Sequence, residues 1–238
     1  MKIDLQVYSN ELRFWLEAFE PFIDRVSQSR LTEALRALED DIDNRRPTVV
    51  WKLPVALRTK VADRYDGLDK SKHEVAVTWQ FTSRFSLGGE RKHPIWTIEE
   101  MVTHVQVLSV PDDQPILHFH FDMKELRADH RPQLGPHIHM QFSEHYLKDK
   151  GRIPIAVPRF PSAVMLPTDC LDLVLSEFFP GEWPKSQTNV AGIDTLRTRQ
   201  RERMSTIAIA LSKKWNESKK QTPVSATQHC YMPDLQIV

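Results

Sequence analysis

The sequence predicts an α+β protein, with N-terminal helices, an antiparallel sheet of about five strands, a Pro-rich crossing segment and two C-terminal helices. Three observations carry that expectation. Apolar residues recur at helical spacing toward both ends of the chain. The middle alternates apolar and polar residues with the two-residue period of a half-buried strand. Between the alternating region and the last helices lies a stretch rich in proline. Residues 1–46 form a helical segment, either separate or part of the same domain; 47–220 form the α+β domain and 221–238 a tail.

Residues 1–8 alternate Ile3, Leu5 and Val7, the pattern of a short strand. Asn10 is placed to cap the next helix, whose apolar stripe is Leu12, Trp15, Leu16, Phe19, Ile23 and Val26. Pro21 lacks the N–H that an interior turn requires, so a kink or a second helix starts there. Leu31, Leu35, Leu38 and Ile42 continue the stripe. The acids Glu39, Asp40, Asp41 and Asp43 close it against the helix dipole, which favours a frayed end.

From Thr48 the pattern turns to strands. Residues 48–57 fit an edge strand, because Pro54 cannot donate to a ladder. Asp66-Gly67 and Gly88-Gly89 mark turns on either side of 74–85, where Val75, Val77, Trp79 and Phe81 alternate with polar residues. Residues 96–110 carry two patterns: Thr97-x-x-Glu100 has the form of a capping box, yet the β-branched density of 102–110 favours a strand. The strand is the assignment adopted. Residues 115–123 and 136–143 are two further strands, joined by a polar stretch.

Beyond Gly151, Pro154, Pro158, Pro161 and Pro167 describe an extended segment laid across the core. Thr168 is expected to cap a helix that turns Leu171, Val174, Leu175, Phe178 and Phe179 inward and stops at Pro180-Gly181. The last helix spans 193–215, with Leu196, Met204, Ile207, Leu211 and Trp215 as its stripe. Tyr231 and Leu235 are the tail residues able to pin it.

Composition narrows the class. Across 238 residues Lys+Arg and Asp+Glu both total 32, so the whole chain has no bias toward polyanions or anionic membranes. With 7 glycines there is little material for a phosphate loop, and no dinucleotide or Walker spacing occurs. Two cysteines, Cys170 and Cys230, argue against a disulfide framework. There is no leader pattern and no apolar run near the roughly 20 residues of a spanning helix. A soluble, cytoplasmic protein without a membrane partner is expected.

The candidate site rests on two His-x-His pairs, His118-Phe119-His120 and His137-Ile138-His139. Side chains at i and i+2 of a strand share a face, so paired strands would gather His118, His120, His137 and His139, with Asp122 or Glu125 adding a carboxylate. Neutral imidazoles with one carboxylate suit zinc or iron. His118-x-His120 followed by Glu125 resembles the first cupin motif, although its glycines and second half are missing. His137-Ile138-His139-Met140-Gln141-Phe142 is similar to the histidine-triad nucleotidyltransferase motif, which implies His139 as nucleophile and Gln141 as phosphate donor. The preceding nucleotide-binding stretch of that family is absent. A second candidate is the basic run at 194–220, where Arg197, Arg199, Arg201 and Arg203 could contact nucleic acid.

Residues 95–215 also resemble a family of bacterial proteins with no assigned activity. The likeness lies in Trp96, residues 102–110, Leu117-His118, Pro136-His137-Ile138-His139-Met140-Gln141, Ile155-Ala156-Val157-Pro158-Arg159-Phe160-Pro161, Leu166-Pro167-Thr168, residues 173–179 and Trp183. It implies a common domain with a strand at 102–110, and no catalytic residues. The order of elements is also similar to ubiquitin-conjugating and related non-catalytic folds, without their thioester pattern around Cys170. The function expected from sequence is therefore a non-enzymatic cytoplasmic interaction module, its partner another protein. The alternative is a metal-dependent or phosphate-transferring enzyme built on the His-x-His pairs.

Overall fold

The computed structural model describes residues 1–66, 72–88, 94–110, 112–124, 136–142, 160–162, 164–188, 190–223, 232 and 234–237. Gly67, Gly89, Glu125, the prolines at 154 and 158, Cys230 and Tyr231 lie outside these.

Among the described residues nine strands make one antiparallel sheet: β1 (Lys2–Ile3), β2 (Thr48–Lys52), β3 (Leu57–Arg58), β4 (Ala62–Asp66), β5 (Lys72–Gly88), β6 (Ile95–Ser109), β7 (Pro115–Lys124), β8 (His137–Phe142) and β9 (Phe160–Pro161). Six run side by side as β2-β5-β6-β7-β8-β9; β3 and β4 pair with β5, and β1 pairs with β6. Beyond the strands read from sequence the sheet adds β3, β4 and β9; β3 and β9 are two residues long, too short for any periodicity to register. The helices are α1 (Leu5–Phe19), α2 (Arg25–Asp43), α3 (Pro167–Phe178), α4 (Trp183–Gln187) and α5 (Ile193–Glu217), with a 3-10 turn at Glu20–Phe22 that absorbs Pro21.

The α+β architecture and the strand at 96–110 agree with the sequence reading, while four local expectations are corrected. The chain is extended only at Lys2–Ile3, and α1 starts at Leu5 because the Asp4 carboxylate accepts the Val7 N–H at 3.0 Å. Three alternating residues cannot be told from a helix start, and Leu5, Tyr8, Leu12 and Trp15 continue as its buried face. Asp4, not Asn10, is therefore the cap. At α3 the cap is Leu166, not Thr168: its N–H donates to the Asp169 carboxylate at 2.9 Å while Pro167 enters the first turn. The acidic end of α2 is held, since Arg13 bonds Glu39 at 2.7 Å and Asn44 donates its side-chain N–H to the Asp40 carbonyl.

Alternation decides which face of the sheet is dry. Trp51, Trp79, Phe81, Val105, Phe121 and Met123 are buried on one face. A small cavity lined by Leu12, Trp15, Phe19, Leu31 and Leu35 together with Trp51 and Trp79 marks the seam where α1 and α2 meet that face. Trp183 locks α4 against α1: its ring lies 6.1 Å from Trp15, 5.6 Å from Phe19 and 5.5 Å from Phe22, and its indole N–H donates to Asp172 at 2.7 Å. The C-terminal segment pairs with β1, where the Lys2 N–H reaches the Leu235 carbonyl and buried Ile237 returns its N–H to Lys2. No helix among the described residues is long and apolar enough to cross a membrane.

Candidate metal centre

The same alternation that dries one face sends the histidines to the other. Partners in register across a sheet share a face, and β6, β7 and β8 are paired throughout this region. One row across the strands is Gln80, His104, His120 and His139. The next, toward one end, is Thr82, Val102, Asp122 and His137, and the next toward the other end is Thr78, Gln106, His118 and Gln141. Five imidazoles and one carboxylate thus occupy one patch. All four sequence-selected histidines stand on this face.

Side-chain geometry separates them. One donor atom each from His120, Asp122 and His139 lies within 4.8 Å of the other two. The His139 Nε2–H donates to Asp122 Oδ2 at 3.0 Å, and the His120 and His139 rings are 4.5 Å apart edge to face. Two ligands at about 2.0–2.1 Å on a tetrahedral metal stand roughly 3.3 Å from each other, so a metal can replace the proton that now joins His139 to Asp122 with small adjustments. His137 Nε2 lies 3.7 Å from the same Asp122 oxygen, adjacent to this trio. His118 stands beside His120, ring centroids 5.4 Å apart, and outside the trio.

Two electrostatic features fit a cation here. Among the described residues Asp122 Oδ1 is buried without a hydrogen-bond partner, a costly state for a carboxyl oxygen that metal ligation would relieve. Burial, followed by the neighbouring His104 and His139, pushes the His120 imidazole down to about 4, so its ring nitrogens are neutral near pH 7. Asp122 acts in the opposite direction. Ligation demands the neutral imidazole.

His104 is the residue missed by inspection of the sequence. Its ring centroid is 3.9 Å from that of His120, and it follows from the alternation of the 102–110 strand once β6 is set against β7. Of the two carboxylates the sequence offered, Asp122 stands on this face; Glu125 lies outside the described residues.

The arginine run of α5 divides between faces. Arg203 is 1% exposed, donates to Asp169 at 2.7 Å and stands 3.6 Å from Glu11. Arg199 turns to the same Glu11 at 3.6 Å. Arg197 meets Asp194 and donates to Gln187, while exposed Arg201 donates to the Arg197 carbonyl. Residues four apart share a helix face, so 199 and 203 serve the core side as a pair. Burial raises the Glu11 carboxyl above its usual range, opposed by Arg203 and then Arg199. Cys170 is buried, its thiol pushed up by that burial.

Comparison with protein-family models, curated proteins and solved structures returns no match for this chain.

Proposed function

We propose that this protein is a metal-dependent enzyme whose centre is held by His120, Asp122 and His139 and takes zinc or ferrous iron. The observation that carries the reading is the convergence of three donor atoms within 4.8 Å. Two imidazoles and a carboxylate leave coordination positions for water or substrate, the ligand pattern of catalytic zinc and of non-haem iron. Zinc held by these residues would supply a bound water that ionises near pH 7. The orphaned Asp122 oxygen and the neutral His120 imidazole support the same reading. The interaction-module alternative is favoured by one feature, the exposure of Ile209 (71%) and Trp215 (41%) on the distal half of α5.

Metal analysis of protein purified without a polyhistidine tag separates the two. The metal reading expects about one zinc or iron per chain, lost in His139→Ala and retained in His118→Ala. Metal-free protein that gains none on dialysis against zinc or ferrous iron contradicts it.

A further inference from the structure

The row next to the metal ligands is chemically distinct from them. Gln106, His118 and Gln141 stand in register on β6, β7 and β8, so one imidazole is flanked on both sides by carboxamides. Among the described residues neither carboxamide has a hydrogen-bond partner, and Gln106 is exposed. The row extends through Thr78 to Arg58, whose charge is already taken by Asp113 at 2.6 Å. Among the described residues it therefore offers several unspent N–H donors, and its one arginine is already paired. Successive rows are separated by two residues along the strand, about 7 Å, and neighbouring strands by about 4.8 Å.

We propose that Gln106, His118 and Gln141 form a shelf that holds the phosphoryl group of a phosphate ester against the metal at His120, Asp122 and His139. This rests on the metal reading above. A tetrahedral oxyanion directs oxygens to several sides at once, so one reaches the metal while others accept N–H bonds from the shelf. A carboxylate is planar and, with one oxygen on the metal, has a single oxygen left for the shelf, where a phosphoryl group has more. The carboxamides are neutral donors, and neutral donors hold a solvated phosphate weakly. Phosphate binding consequently requires the metal.

The test is a calorimetric titration of the full chain with inorganic phosphate and, separately, phenyl phosphate, with zinc content measured on each sample. Zinc-loaded protein binds both, and zinc-free protein binds neither. His118→Ala and Gln141→Ala each weaken binding by about tenfold, the size of one lost hydrogen bond to a charged acceptor, while zinc content is unchanged. Binding of inorganic phosphate with rejection of phenyl phosphate overturns the ester and leaves a free-anion site. Zinc-loaded protein that ignores both ligands, or variants that bind as tightly as the parent, overturn the shelf alone. Failure to take up zinc overturns the metal reading and the shelf with it, and the zinc measurement tells the two failures apart.

Discussion

Asp122 and Glu11 are both carboxylates withdrawn from water, and their surroundings set them to opposite uses. Asp122 sits among imidazoles with one oxygen unpartnered, open to a cation. Glu11 faces Arg199 and Arg203, its cations already in place. Burial nevertheless dominates Glu11 and raises its carboxyl above the ordinary value of 4.5. A raised folded-state value means that the folded chain holds this proton more tightly than the unfolded chain. The contribution is complete below pH 4.5 and is lost as pH rises through the folded value. Glu11→Gln removes that loss. Urea denaturation at several pH values should show the variant gaining on the parent as pH rises from about 4.5 toward 7; a difference independent of pH would contradict it.

At the scale of elements, the strands were legible because alternation is a strict code. His118 with His120, and His137 with His139, could only share faces once 115–123 and 136–143 were strands. Register was not legible. Which residue of β6 opposes His120 depends on the irregularity between Val107 and Leu108, and no pattern in the sequence announces it. His104 was missed for that reason. The burial of Arg203 was hidden for a different reason: summing charge along 194–220 ignores the helical period, and Arg203 falls in the buried stripe between Leu196 and Ile207. α4, five residues long, was equally hidden, although Trp183 makes it a principal anchor. Trp183→Phe keeps most of the ring packing but removes the N–H donated to Asp172, which retains a bond from Gln200. A loss of about 2 kcal/mol in unfolding free energy is expected, read from the denaturation midpoint. A loss below about 0.5 kcal/mol would mean that the indole bond does not hold α4 in place.

Across the whole molecule, labour is divided between two sheet faces. One carries the tryptophans and meets the helices, giving a rigid base. Among the described residues, the other displays five histidines, Asp122 and the glutamines Gln106 and Gln141 over β6, β7 and β8. Ligands on paired strands inherit the stiffness of the ladder, which suits a preorganised site. The metal would join β7 to β8 through side chains as well as backbone. Anomalous diffraction at the zinc edge from zinc-soaked crystals tests this most directly. The account predicts a peak about 2.0–2.2 Å from one atom each of His120, Asp122 and His139. A strong peak at His104 and His118 instead, or no peak on this face, would contradict it.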